Sequence, residues 1–183
     1  STQRTLGSES TVIVGRPKHS ILTTYFNWSA IDGMLNPLFL EVLINDNILP
    51  FERPSVIAHE WAHLAGYADE SEASFVGWLA CLQGSISSQY SGWLMIYAHV
   101  SQQLPRESLT RIQSSLSEGP RKHLEAIALR LNRSIPNVRF VSRHIYDRFL
   151  KANRVKDGIE SYDGVVTLVL GSRFEANWRP IVM

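Results

Sequence analysis

Cysteine is almost absent from this chain: Cys81 is the only one in 183 residues. That excludes an internal disulfide and any metal cluster built on several cysteines. An excess of charge is lacking too. Eighteen Lys and Arg stand against 17 Asp and Glu, a net charge of +1, so the molecule as a whole is not built to bind polyanions. No apolar run approaches the roughly 20 residues that cross a bilayer; the best, Phe75 to Leu82, is far too short. Internal repeats, low-complexity tracts and a clear linker are also missing. What is present, 44% hydrophobic and 19% charged residues, is the composition of a globular protein. The length suits one domain over residues 1–183 with a sizeable core. The chain starts at Ser1 rather than at methionine, which leaves room for a membrane anchor upstream.

In chain order, residues 1–10 are polar and expected to be disordered. Thr11 to Val14 reads as a short strand ended by Gly15-Arg16-Pro17. His19 to Trp28 fits a strand by its aromatics and threonines and a helix by the spacing of Ile21, Leu22, Tyr25 and Phe26. Asp32-Gly33 and Asn36-Pro37 bracket a short extended piece. Phe39 to Ile44 is expected as a strand closed by Asn45-Asp46-Asn47. A helix follows from Pro54 or Ser55 to Ala65, capped by Gly66. Asp69-Glu70-Ser71-Glu72 has the spacing of a capping box and opens a buried helix from about Glu70 to Ser85. Gly84 to Gly92 breaks the pattern. Further helices are expected near Trp93–Gln103, Arg106–Leu116, Arg121–Asn132 and Val138–Ala152, while Gly164–Leu170 fits helix or strand. The fold class is therefore α+β, mainly α: a small N-terminal sheet packed on the central helix, then a helical bundle.

The central helix carries HEWAH. His59 and His63 are four residues apart, so their rings share one helix face and can grip one cation. Glu60, about 100° around the helix, lies beside the ion rather than on it. Two nitrogen donors with a free carboxylate make the donor pattern of a zinc hydrolase, with Zn2+ as the expected cofactor. Apolar neighbours (Val56, Ile57, Ala58, Ala62, Leu64, Ala65) bury this helix, and burying two histidines and a glutamate without partners would be costly.

Three acids compete for the third ligand. HEWAHLAGYAD resembles the metzincin pattern HExxHxxGxxD and nominates Asp69; the methionine turn of that class has only Met95 and Met183 as downstream candidates. Glu72 is favoured, because on the second helix it aligns with Phe75, Val76 and Leu79, where a buried carboxylate implies a cation. Glu70 falls with Ala73, Gly77 and Cys81 and is assigned to the helix dipole. HExxH followed by a second Glu-Ala resembles the gluzincins. More closely, HEWAHLAGYADESEASFVGWLAC is similar to a bacterial family of zincin-like metallopeptidases catalogued as a domain of unknown function, with the pattern HExAHxxGxAxExEAxFxxxLAC. NPLFLEVLIN, YSGWL and LKANRVKDGIESYDGVVTLVL extend the likeness from Lys18 to Leu170. Ser74 and Tyr146 depart from it, since asparagine is common at both places. The resemblance implies a zincin-like fold, a peptide or protein substrate, and an extracytoplasmic domain tethered by upstream membrane helices.

The expected mechanism has His59, His63 and Glu72 as ligands and Glu60 as general base. Tyr162, in the matching ESYDG segment, is expected to steady the oxyanion. The resemblance also implies that Phe39 to Asn45 aligns substrate by strand addition, with Glu41 and Asn45 as its binding residues. Cys81, in an apolar helix, reads as packing. Arg121 to Lys156 holds ten Lys or Arg against Glu125 and Asp147. Solvated faces of two amphipathic helices are the expectation there, with attraction to anionic lipid as the functional reading. No nucleic-acid motif is present, and no such partner is expected. The alternative function is a catalytically silent zinc-containing binding module, possible at a membrane surface.

Overall fold

The computed structural model describes residues 15–36, 38–152, 164–175 and 180–181. The strand expected at Thr11–Val14 and the candidate Tyr162 lie outside them. In order the elements are β1 (Lys18–His19), α1 (Thr23–Ser29), β2 (Gly33–Asn36), β3 (Glu41–Ile44), α2 (Arg53–Leu64) and α3 (Glu70–Leu82). There follow α4 (Ile86–Gln103), α5 (Arg106–Ser115), α6 (Glu118–Leu131), α7 (Pro136–Ala152), α8 (Gly164–Gly171) and a short antiparallel pair, β4 (Arg173–Phe174) with β5 (Pro180–Ile181). The described residues are mainly helical, with a small three-stranded sheet near the N-terminus and the β4–β5 pair, in line with the α+β, mainly α pattern of the sequence.

The ambiguous His19–Trp28 stretch divides in two. Ser20 makes the break: its hydroxyl accepts the Leu22 amide at 3.0 Å and its carbonyl the Thr23 hydroxyl at 2.8 Å, turning the chain from strand into helix. The sheet has the order β1-β3-β2, with β3 parallel to β1 and antiparallel to β2. The expected strand at Phe39 begins two residues late, because Leu40 holds a left-handed φ of 52° and Leu38 to Leu40 form an exposed turn. Val42 and Ile44 of β3 and Ile48 of the turn after it form one core cluster, packed against Val56, Ile57 and Trp61 of α2.

Above α2 lies α3, whose Trp78 and Leu79 join Ile96 of α4 and Val165, Val166 and Val169 of α8 in a second core. The VVTLVL stretch is thus a helix, its valines brought onto one face by helical spacing. The break expected at Gly84–Gly92 is shorter than supposed. Ser85 caps α4 by accepting the Ser88 amide, and Gly92 lies inside the helix. A Cβ at Gly92 would come within 2.8 Å of the Cys81 Cβ, so glycine there serves close packing rather than a turn. By contrast α5 and α6 bury no residue. What ties α6 down is a polar clamp. Arg130 reaches Asp32 at 2.7 Å and Glu52 at 2.6 Å, joining the last turn of α6 to the loop before β2 and the start of α2. Among the described residues no helix is long and apolar enough to cross a membrane.

Candidate metal centre

The HEWAH helix ends as its glycine predicts. Gly66 has φ +100°; its amide bonds the His63 carbonyl at 2.9 Å, and the Tyr67 amide reaches back to the Ala62 carbonyl at 3.2 Å. This paired closure is a Schellman motif. It has a second effect, because it swings the Tyr67 carbonyl to 2.8 Å from His63 Nδ1. A carbonyl only accepts, so Nδ1 carries the proton and Nε2 presents its lone pair in the neutral ring. His59 Nε2 lies 3.0 Å from His63 Nε2.

The chain then turns and Asp69 caps α3. Its Oδ1 accepts the Ser71 amide at 2.9 Å and the Glu72 amide at 3.1 Å. The capping box is half realised, and Asp69 is committed to it rather than to an ion. Glu70, the first residue of α3, is fully buried and directs Oε2 to 3.1 Å from His59 Nε2 and 3.4 Å from His63 Nε2. Glu72, the ligand expected from sequence, is exposed and does not face the rings. Glu72 follows the large apolar face of α3, as its spacing predicts, but the face that meets α2 is the small one. Glu70, Ala73 and Gly77 share it, and a Cβ at Gly77 would come within 2.9 Å of the His59 amide nitrogen. Only a glycine lets the two backbones approach so closely, and that approach presses Glu70 against the imidazoles.

His59, His63 and Glu70 thus offer three donor atoms, all within 4.8 Å of one another. A cation about 2.0–2.1 Å from each ligand of a tetrahedron requires ligand-to-ligand edges of about 3.3 Å. The observed edges of 3.0, 3.1 and 3.4 Å bracket that value. Glu70 Oε2 is shut away from solvent yet accepts no aligned hydrogen bond, which is expensive for a carboxylate oxygen and is relieved by a cation. Among the described residues no fourth acid, histidine or cysteine joins the three. These observations fit a divalent ion.

Two residues that sequence reasoning treated as departures from a family pattern prove to touch the donors. Ser74 places Oγ 3.2 Å from His59 Nδ1. Tyr146, from α7, donates its hydroxyl to Glu70 Oε1. Each donor ring and the carboxylate therefore has an outer partner, an arrangement usual around metal ligands. In the sequence, only their shared departure from the family pattern, serine and tyrosine where asparagine is common, sets them apart.

Glu60 is buried under β2. A Cβ at Gly33 would lie 3.0 Å from Glu60 Cγ and Oε1, and the Leu35 amide donates to the carboxylate. Burial pushes its pKa up, and His59 and His63 only partly offset this. In Glu70 burial works in the same direction but loses to the two imidazoles, which hold its carboxyl well below the usual range. His63 is raised, because the Glu70 carboxylate overcomes the opposing effect of burial. Burial and the charge of Glu70 push the Tyr146 phenol far above its ordinary value, keeping it a donor. Burial alone lifts the Cys81 thiol to about 11, in keeping with a packing role.

Neither Glu41 nor Asn45 is placed to bind a substrate strand, contrary to expectation. β3 is the central strand, so both its edges are taken and it cannot add a substrate strand. Glu41 pairs with Lys18. Asn45 is wholly buried, its amide donating to Asn27 Oδ1 and the Ile31 carbonyl at 3.0 Å each; it fixes the loop rather than a ligand. The sheet edge beside Glu60 belongs to β2.

No curated protein and no solved structure matches the chain. Residues 2–170 match the family described as "Protein of unknown function (DUF3810)", and the chain belongs to that family.

Proposed function

We propose that this chain is a zinc-dependent metallopeptidase with a zincin-like arrangement of its HExxH helix, small sheet and following helix. The observation that carries the reading is the triangle of His59 Nε2, His63 Nε2 and Glu70 Oε2, with a buried carboxylate oxygen otherwise unsatisfied. Two imidazoles and one carboxylate are the protein donor set of known catalytic zinc sites, which keep a fourth position for water or substrate. A zinc ion held there would supply Lewis acidity, polarising a carbonyl and making water acidic near neutral pH. Glu60 is the chain's own base. Its raised pKa and its place beside the donors suit it to take a proton from water and return it to the leaving amine. The Leu35 amide and the Gly33 backbone hold its carboxylate in place. An extended peptide would pair with the outer edge of β2, the strand against which Glu60 packs.

A silent binding module would keep the ion but need no base. Metal analysis of purified protein, combined with cleavage of a peptide library with and without chelator, separates the two. One zinc per chain is expected. Glu70→Gln should weaken zinc binding more than tenfold while Glu72→Gln leaves it unchanged. Glu60→Gln should keep zinc and lose cleavage by about 10²–10⁴-fold. Zinc loss in Glu72→Gln but not in Glu70→Gln would overturn the ligand set, and undiminished cleavage by Glu60→Gln would overturn the mechanism.

A further inference from the structure

Positive charge in this nearly neutral molecule is gathered in one place. Between Arg121 and Ala152 stand eight Lys or Arg against Glu125 and Asp147. Arg130 is spent internally on Asp32 and Glu52, but Arg139, Arg143 and Arg148 of α7 are exposed. The same helix turns only a narrow face inward, through Ser142, Tyr146 and Leu150. Its outer face carries Phe140, Val141, Ile145 and Phe149, which are between 51% and 72% exposed.

The apolar surface continues onto α1. That helix lies along α7, held by Tyr25 Oη to Ser142 Oγ at 2.9 Å, Ser142 Oγ to Ser29 Oγ at 3.0 Å, and the Ile135 amide to the Trp28 carbonyl at 2.9 Å. Tyr25 and Trp28 still keep 40% and 46% of their surface exposed, and Ile21, just before α1, is fully exposed. Between the end of α6 and α7 a shallow depression is lined by Ser134, Arg139, Phe140 and Arg143 among others. Guanidinium groups thus sit at the rim of an exposed aromatic and aliphatic ridge.

We infer that the α1–α7 face docks on a bilayer containing anionic lipid. Arg139 and Arg143 take headgroup phosphates, for which the guanidinium fork is suited. Phe140, Val141 and Ile145 enter the boundary between headgroups and acyl chains, with Tyr25 and Trp28 at headgroup level. Charge selects this occupant. A two-fold contact between copies would lay the basic patch on itself, whereas an anionic membrane surface complements it.

Co-sedimentation of the full chain with vesicles tests the inference. Vesicles of phosphatidylcholine alone are compared with vesicles of phosphatidylcholine and phosphatidylglycerol, at low and high salt. Binding to the anionic vesicles alone is expected, falling as salt screens it. The double variant Arg139→Glu/Arg143→Glu should weaken partitioning more than tenfold. Phe140→Ser/Ile145→Ser should weaken it at both salt levels. All four positions are solvent-facing, so circular dichroism should stay unchanged. Glu70→Gln should bind vesicles like the wild type, which keeps failure at this face distinct from failure at the metal centre. Equal binding to neutral vesicles, no binding to anionic ones, or unaltered binding by both double variants would overturn the inference. So would a dimer in sedimentation that either double variant abolishes.

Discussion

The α2–α3 hairpin and the α5–α7 layer use opposite means of cohesion. In the hairpin, small residues bring two helix backbones almost into contact, and the donors on their facing surfaces stand 3.0–3.4 Å apart. In the outer layer α5 and α6 bury nothing, α7 buries only Ser142 and Leu150, and position is set by polar pins. Arg130 with Asp32 and Glu52 is one pin, Tyr90 with His123 at 2.7 Å another, and Tyr25 with Ser142 a third. Close packing gives a rigid frame suited to ligand geometry. Polar pins leave surface free for contact with something outside the chain. Local opening should therefore begin in the outer layer, where few apolar contacts resist it.

The largest effect is expected where the frame is tightest. Gly77→Val puts a branched side chain against the backbone of Ala58 and His59, atoms that cannot swing aside. Glycine normally weakens a helix by up to about 1 kcal/mol relative to alanine, so a larger residue would gain a little locally. Overpacking by about 1–3 kcal/mol or more outweighs that gain. Chemical denaturation should show a loss of about 3 kcal/mol. Zinc binding should disappear with it, because α3 and Glu70 are forced off the rings. Retained zinc affinity in Gly77→Val would show that the close approach is not what sets the site.

A smaller loss is expected from breaking a pin. Arg130→Ala leaves Glu52 buried without its cation and Asp32 partly exposed without its own. Removing one partner of a fully buried ion pair costs about 3–5 kcal/mol, but water can reach Asp32, so about 2 kcal/mol is the expected loss. The contrast with Gly77→Val lies in its location. Hydrogen exchange should speed up in α6 and α7 while α2 and α3 stay protected, and zinc should bind within a few-fold of wild type. Uniform loss of protection would mean that the two regions form one cooperative unit.

How much of this was legible in the sequence depended on range. HEWAH, the Gly66 closure and the Asp69 cap are local, and helical spacing or turn chemistry alone fixes them. The choice between Glu70 and Glu72 was not local. It turned on which face of α3 meets α2, and large apolar side chains pointed to the wrong one. Phe75 and Leu79 do pack against neighbours, but the site-forming contact runs through Ala73 and Gly77, which carry almost no hydrophobic signal. Gly92 misled for the same reason, since a glycine that permits contact looks like one that ends a helix. The edge role given to β3 failed because strand order depends on pairing across the sheet, which spacing does not reveal.

The smallest predicted effect concerns the place where the two regions meet. Tyr146 rises from the loosely held α7 and donates to Glu70 Oε1, the carboxylate oxygen turned away from the rings. Phe at this position keeps the ring and its stacking on Phe149 but removes the donor. Glu70 then loses its outer partner and can rotate, so its other oxygen is less well aimed. Loss of an outer-shell partner typically weakens metal binding 10–100-fold. The low end is expected for Tyr146→Phe, about tenfold or about 1.4 kcal/mol, because burial by α3 and α2 still confines the carboxylate. Competition with a zinc chelator measures it directly. A merely structural role for the hydroxyl would lower thermal stability equally with and without zinc. A positioning role lowers the zinc-loaded form more, and that difference is the expected reading. If zinc affinity is untouched, the outer layer has no part in holding the donors, and the frame of α2 and α3 is sufficient by itself.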